Sequence, residues 1–170
     1  MKSVTYINRE LLQSVTAKAM VSPRRRMNYN FHQLEDAANR MLNAIEPDSY
    51  IRPHRHLTPP KDEGFLVLQG RGSCLIFDEN GAVTSVYTLD PSDGKWGVDI
   101  PAGTYHTILA LEPNTVFYEV KPGPYVPASD KDFAPWAPPE GTSEAVTFLQ
   151  EMRRAAFAAA GLEMQQSDDS

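Results

Sequence analysis

The chain has 170 residues and a formal net charge of −6, with 14 prolines, 10 glycines, four histidines and one cysteine. The length suits one domain, and the abundance of proline, which helix interiors exclude, argues against a helix bundle. One cysteine excludes an internal disulfide and indicates a reducing, cytoplasmic location. The acidic balance argues against a broad nucleic-acid interface, and no segment approaches the roughly 20 apolar residues of a membrane span.

An N-terminal helix and arm are predicted over residues 1–39. Asn8 is a good N-cap for a helix with apolar residues on one side, and Pro23 ends this helix. Arg24 to Arg26 then lead into the segment MNYNFH, which we interpret as an irregular arm.

A barrel of β-strands is predicted over residues 40–121. Short apolar runs with a period of two alternate there with turn signals, roughly every eight to twelve residues. Asn80-Gly81 is the strongest of these signals, because both residues tolerate the positive φ of a tight hairpin. About eight strands in this span predict an all-β antiparallel barrel or jelly roll.

The C-terminal part is predicted to be first irregular and then helical. Residues 122–141 are rich in proline, and their large aromatic side chains are expected to pack along the barrel surface, namely Tyr125, Phe133 and Trp136. A helix over residues 142–162 begins at Thr142 or Ser143. Residues 163–170 are predicted to be a disordered tail.

Four residues are candidate metal ligands. His54 and His56 lie one residue apart in a strand-like run, so both imidazoles project from one face. Glu63 opens the next predicted strand, and His106 follows a Pro-x-Gly turn. Three imidazoles and one carboxylate that meet inside a small barrel can bind a divalent first-row metal and leave coordination positions open. Each motif alone is more often a polar strand face or an ordinary turn, and it is their combination that indicates a metal site.

These motifs resemble those of the cupin superfamily. The segment from His54 to Gly70 resembles the first cupin motif, and PAGTYH, which ends at His106, resembles the second. Two features depart from the family pattern. Six residues, LTPPKD, separate His56 from Glu63, more than in the usual first motif, and the second motif ends in alanine where asparagine is common.

The resemblance covers nearly the whole chain. The segments SPRRRMNYNFH, SYIRPHRHL, KPGPY and DKDFAPWAPPEG are similar to WbuC-type cupin-fold metalloproteins. This resemblance implies a double-stranded β-helix, the RmlC-like jelly-roll barrel, with the N-terminal and C-terminal helices packed outside it. It also implies one divalent transition metal, Fe, Mn, Ni or Zn, and a link to O-antigen and other bacterial surface-polysaccharide gene sets.

The strand pattern predicts further side chains around the metal. Arg52 shares the parity of the two histidines, so its guanidinium is expected to point inward, where it needs an anionic partner. That partner is either a structural carboxylate, such as Glu46 or Glu119, or a substrate carboxylate or phosphate. Phe65 lines the same interior and makes the pocket partly apolar.

Four other residues are candidates for binding or catalysis. Arg26 and His32 belong to the N-terminal arm, which is predicted to fold over the barrel mouth or a dimer partner. Tyr118 and Glu119 lie on opposite faces of one strand, so only one of them points inward, where either could act as an acid or base.

The leading hypothesis is a small-molecule metalloenzyme that acts on a sugar or nucleotide-sugar intermediate of surface polysaccharide, by isomerisation, epimerisation or Fe(II)-dependent oxygenation. Two alternatives stay open: a ligand-binding or sensory cupin without turnover, and a structural cupin that uses the metal for stability. The expected partner is an anionic or sugar-like small molecule, not nucleic acid or a membrane, and an exposed edge strand allows a homodimer.

Overall fold

The computed structural model describes residues 3–126 and 131–164, so most of the predicted tail over residues 163–170 lies outside the described residues. Within these described residues the chain forms two α-helices and ten strands, in the chain order α1 Arg9–Val21, β1 Arg26–Asn30, β2 Ala38–Ile45, β3 His54–Arg55, β4 Glu63–Gln69, β5 Gly72–Phe77, β6 Val83–Leu89, β7 Gly97–Ile100, β8 Tyr105–Ala110, β9 Thr115–Pro122, β10 Asp132–Phe133 and α2 Ser143–Ala160.

The strands form two five-stranded antiparallel sheets. Sheet A has the order β1-β2-β9-β4-β7 and sheet B the order β10-β3-β8-β5-β6. Apart from the pairs β1-β2 and β5-β6, neighbours in each sheet are distant in sequence, as in a jelly roll, and the predicted all-β class is confirmed. The predicted Asn80-Gly81 turn joins β5 to β6, and Gly81 there has a φ of +91°.

Each helix covers the outer face of one sheet. Helix α1 packs on sheet A through Leu12, Val15 and Ala19, and α2 packs on sheet B through a longer apolar stripe that includes Leu149 and Met152. A third apolar core lies between the sheets, built from Ile45, Phe65, Val67, Cys74, Leu89, Ile100, Ile108, Ala110 and Phe117. No helix in the described part of the chain has the length and apolar character needed to cross a membrane.

Local sequence explains where both helices begin. The Asn8 side chain accepts a hydrogen bond from the Leu11 amide at 3.0 Å, and the Thr142 hydroxyl accepts one from the Ala145 amide at 3.2 Å. Both are N-cap contacts that satisfy free amides of the first turn. The predicted helix starts are therefore confirmed.

The prediction of an irregular arm after Arg24 is wrong in one respect, because residues 26–30 form strand β1 at the edge of sheet A. Its polar side chains, Arg26, Asn28 and Asn30, line an internal cavity, whereas Met27 and Tyr29 pack beneath α1. The segment does alternate with period two, but with its polar side chains facing the interior. A pattern search that assigns apolar residues to the inner face therefore misses it.

The proline-rich arm packs as predicted at Trp136 and differently at Phe133. The indole ring of Trp136 contacts Phe77 and Tyr105, with ring centroids 5.1 and 5.8 Å away. It also lies against Gly81, where an added Cβ would meet the ring at 2.8 Å. Phe133 on β10 is half exposed and lines the cavity instead.

Candidate metal centre and cavity

Four buried side chains converge between the two sheets. One potential ligand atom from each of His54, His56, Glu63 and His106 lies within 4.8 Å of the others. His54 on β3 is paired in register with His106 on β8 in sheet B, while Glu63 opens β4 in sheet A. The sequence-predicted set therefore comes together, and it bridges the two sheets.

Two turns bring these strands into position. The six residues between His56 and Glu63 fold back on themselves, since Leu57 forms a bridge with Pro60 and the Lys61 amide donates to the His56 carbonyl. The extra length of the first motif is thus absorbed locally. In the second motif Gly103 has a φ of +80°, and its amide also donates to the His56 carbonyl, at 3.0 Å.

Hydrogen bonds orient two of the imidazoles. Nδ1 of His54 lies 3.0 Å from the Arg52 carbonyl, and Nδ1 of His106 lies 2.9 Å from the Thr104 carbonyl. Because a carbonyl only accepts, we assign the ring proton of the neutral imidazole to Nδ1 in both residues. Their Nε2 lone pairs are then available to a metal, the arrangement that second-shell carbonyls impose on histidine ligands.

The carboxylate of Glu63 fits the same interpretation. Its Oε2 lies 2.9 Å from Nε2 of His106 and 3.2 Å from Nε2 of His56. With the proton of His106 on Nδ1, the Nε2 lone pair of His106 faces Oε2 of Glu63 at 2.9 Å. This contact is repulsive by itself and becomes favourable when both atoms bind the same cation. The donor set of this site therefore fits a divalent transition metal.

The protonation states are those that metal binding requires. Burial, reinforced by the charge of Lys131, lowers the pKa of His54 well below 6.5, so its imidazole is neutral. Burial alone would raise the pKa of Glu63, but its contacts with His106 and His56 and the charge of Lys121 outweigh this effect and lower that pKa well below 4.5. Both groups thus present lone pairs near neutral pH.

A buried polar network adjoins the cluster. Lys121 Nζ lies 3.2 Å from Oε1 of Glu63 and 3.0 Å from Oε1 of Glu119, and Asn43 donates to Oε2 of Glu119. Burial, followed by the charge of Glu63, raises the pKa of Glu119 to about 7. Lys121 and Asn43 were not among the predicted site residues. Lys121 has the same strand parity as Glu119, so an inward assignment of Glu119 would also have identified Lys121.

Of the two candidates on β9, the structure selects Glu119. This residue lines the cavity, whereas Tyr118 faces outward and packs with the apolar residues beneath α1. Tyr118 is therefore wrong as a candidate acid or base in the cavity.

A cavity of about 430 Å³ adjoins the cluster, and His54, Glu63 and His106 form part of its wall. Phe65 and Ile108 line its apolar part. The wall carries more cationic than anionic side chains, with Arg24, Arg26, Arg52, Lys121 and Lys131 against Glu63, Glu119 and Glu140. In a chain with a net charge of −6 this local excess of positive charge favours an anionic ligand.

Arg52 points into this cavity, as its parity predicts. Its Nη2 donates to the Ala134 carbonyl at 3.1 Å, and its guanidinium lies 5.1 Å from the centre of the Phe133 ring. Within the described residues no carboxylate pairs with Arg52, and its buried Nε has no hydrogen-bond partner. The expected structural partners are engaged elsewhere, Glu46 with the Asn114 amide and Glu119 with Lys121.

The two arm residues also line the cavity. Arg26 donates to Glu140 at 2.8 Å and to the Tyr50 carbonyl at 2.9 Å, so the arm is fixed to the C-terminal segment. His32 is buried, and its Nδ1 accepts from the Arg40 amide at 3.0 Å. Both residues therefore line the cavity, whereas a position of the arm over the barrel mouth or a dimer partner, and ligand binding by either residue, stay predictions.

Comparisons of the sequence with known proteins find one family model and no curated relative. Residues 7–89 match a family model described as a domain of unknown function, DUF6016, a span that includes the first three candidate ligands but not His106. No curated protein matches the chain in sequence.

Several solved structures are similar. CapF from Staphylococcus aureus, a capsular polysaccharide assembling protein, aligns with a TM-score of 0.55 and 26% identity over 66% of this chain and 30% of its own. CapF with the inhibitor 3-isopropenyl-tropolone aligns with a TM-score of 0.51 and 27% identity, over 66% and 32% of the two chains. A cupin 2 domain-containing protein from Halorhodospira halophila has a TM-score of 0.46 and 18% identity, over 84% and 85%.

The sheet topology and the two motifs together give this chain the cupin jelly-roll fold. The alignment covers 30% of the CapF chain, so the similarity concerns only one part of CapF.

Proposed function

We propose that this chain is a WbuC-type cupin metalloenzyme that acts on an anionic sugar or nucleotide-sugar intermediate of surface-polysaccharide synthesis. The observation that carries this proposal is the buried cluster of three imidazoles and one carboxylate in the wall of a cationic cavity. Buried polar groups of this kind are costly unless they are paired or hold a metal, and a cavity beside them gives a small molecule access.

His54, His56, Glu63 and His106 would hold one divalent ion, Fe, Mn, Ni or Zn. When bound, such an ion supplies Lewis acidity toward a carbonyl or hydroxyl group of the substrate. The Arg52 and Thr104 carbonyls keep two of the imidazoles in the ligating tautomer.

The anionic group of the substrate would bind at Arg52. Its guanidinium is oriented by the Ala134 carbonyl and the Phe133 ring, and its Nε has no hydrogen-bond partner among the described residues. A planar guanidinium group held in this way suits bidentate hydrogen bonding to a carboxylate or phosphate. Phe133, which is half exposed beside it, offers a flat apolar surface to a sugar ring, and Phe65 lines the same cavity.

Glu119 is the proposed acid or base. Its pKa of about 7 means that both protonation states are populated near neutral pH, which suits a residue that takes and returns a proton. Asn43 and Lys121 fix its two oxygens at the cavity wall. Isomerisation or epimerisation of a sugar through an enediolate requires such a proton transfer at a carbon next to a carbonyl group.

The link to polysaccharide is supported by one similarity. CapF, whose fold is similar over 66% of this chain, is a capsular polysaccharide assembling protein. A cytoplasmic location, and the homodimer that an exposed edge strand allows, belong to the same proposal.

Metal content is the first test. Protein purified without an affinity tag is expected to contain about one divalent ion per chain by elemental analysis, and His106→Ala to contain almost none. His32→Ala is the matched control, because it removes a buried histidine outside the cluster and should retain the metal. Metal-free wild type that takes up no divalent ion on dialysis, or full metal content in His106→Ala, contradicts the proposed site.

Turnover is the second test. The metal-loaded chain is incubated in D₂O with uronic acids, sugar phosphates and nucleotide sugars, and carbon-bound deuterium is followed by NMR. We expect exchange into one substrate class with wild type, and its loss in Glu119→Gln with binding retained. Saturable binding without exchange or product, under air and under nitrogen, would instead support a ligand-binding cupin without turnover.

A further inference from the structure

The two oxygens of Glu63 face different partners. Oε2 points toward the imidazoles of His56 and His106, at 3.2 and 2.9 Å, whereas Oε1 lies 3.2 Å from Nζ of Lys121. Only one oxygen of this carboxylate is therefore directed at the metal cluster.

Strand pairing fixes this division. Gly64 on β4 is in register with Val120 on β9, so the next pair outward is Glu63 with Lys121. Lys121 is buried, and its ammonium also lies 3.0 Å from Oε1 of Glu119. A buried ammonium between two carboxylates is strongly held, because removing it would leave both charges uncompensated.

We propose that Lys121 is a positioning residue that holds Glu63 as a one-oxygen ligand, and so keeps one coordination position open for an exogenous ligand. This inference rests on the proposed metal site. If the N–H donors of Lys121 were absent, Oε1 could rotate onto the ion and make the carboxylate bidentate, which would close that position. The orientation of the Glu63 carboxylate depends on the position of the N–H donors of Lys121 as well as on its charge.

The test uses the full chain, Co²⁺ as the metal and azide as the exogenous ligand. Wild type is expected to bind Co²⁺ and to show a change in visible absorption when azide is added. Lys121→Met should still bind Co²⁺, because all four ligands remain, but its affinity for azide should fall at least about tenfold, within the range seen for residues that orient metal ligands. Lys121→Arg, which retains charged N–H donors, should restore azide binding.

A matched control is Lys61→Met, which removes another buried lysine, one that donates to the Pro124 carbonyl, and it should bind azide like wild type. Equal azide affinity in Lys121→Met and wild type overturns the inference while leaving the metal site intact. Failure of wild type to bind Co²⁺ contradicts the proposed function itself, so the two failures are distinct.

Lys121→Met buries two carboxylates without their ammonium and could fail to fold, which its circular-dichroism melting curve would reveal. A crystal structure of the cobalt-loaded wild type then decides the question. We expect Oε2 of Glu63 on the ion and Oε1 on Lys121, whereas both oxygens on the ion would overturn the proposal.

Discussion

Glu119 lies in an environment that stabilises its neutral form. It is buried, and the carboxylate of Glu63 is close by, so loss of its proton would add a second negative charge to the interior. Lys121 and Asn43 offset part of this cost but do not remove it. A group of this kind makes stability depend on pH in a direction opposite to that of an ordinary salt-bridged carboxylate.

We predict that this pH dependence disappears in Glu119→Gln. The pKa of Glu119 is about 7 in the folded chain and near 4.5 in the unfolded chain. Between these values the folded chain keeps a proton that the unfolded chain has lost, so the free energy of unfolding falls as the pH rises. Urea unfolding in the presence of EDTA should therefore show that the free energy of unfolding of wild type falls relative to that of Glu119→Gln as the pH rises from 4.5 to 7. Above pH 7 the difference between the two free energies should stay constant.

Glu151→Gln is the control for this measurement, because Glu151 is exposed on α2 and its profile should run parallel to that of wild type. Parallel profiles for wild type and Glu119→Gln would contradict the assigned pKa.

Between elements, Glu140 joins the two arms that border the cavity. Its carboxylate accepts from Nε and Nη2 of Arg24, at 3.0 and 2.9 Å, and from Nη2 of Arg26 at 2.8 Å. Burial alone would raise the pKa of Glu140, but the hydrogen bonds from Arg24 and Arg26 outweigh it and lower the pKa to about 2. The segment before α2 is thus tied to the start of β1 by charge-assisted bonds.

Glu140→Gln should weaken this connection. Because the pair is partly exposed, we expect the free energy of unfolding to fall by only about 1 kcal/mol at neutral pH. Because the pKa of Glu140 is lowered in the folded chain, this stabilisation is fully present above pH 4.5 and is lost as the pH falls toward 2. Urea unfolding at pH 7, 4 and 3 should show the difference between wild type and variant shrinking with acid.

Glu79→Gln serves as the comparison for this experiment, since Glu79 is 74% exposed in its pair with Arg55 and should contribute almost nothing. A difference between wild type and Glu140→Gln that is unchanged down to pH 3 would rule out the ionic origin of the connection.

For the molecule as a whole, the sequence predicts what depends on local patterns. Period-two runs, the Asn80-Gly81 turn and the helix caps at Asn8 and Thr142 are short-range features, and all of them appear where expected. The convergence of the histidines followed from parity together with the family resemblance.

What could not be predicted depends on register between distant segments. Lys121 meets Glu63 across 58 residues, and Arg26 meets Glu140 across 114 residues, and no local pattern encodes either pair. Strand β1 was missed for a related reason: its inner face is polar because it borders a cavity, so its alternation runs opposite to that of a core strand.

The position of the cluster makes a prediction about the stability of the whole fold. Its ligands come from both sheets, His54 and His106 from sheet B and Glu63 from sheet A, so one ion would join the two layers of the jelly roll. A ligand that binds only the folded state at 100 times its Kd adds about 2.7 kcal/mol to the free energy of unfolding. For a chain of this size that corresponds to a rise in Tm of about 5–10 °C.

Thermal unfolding of wild type with Zn²⁺ or Co²⁺, compared with EDTA, should show this rise, and His106→Ala should show almost none. An equal rise in His106→Ala would mean that the metal binds outside the cluster, and no rise in wild type would mean that the two sheets are not joined by an ion.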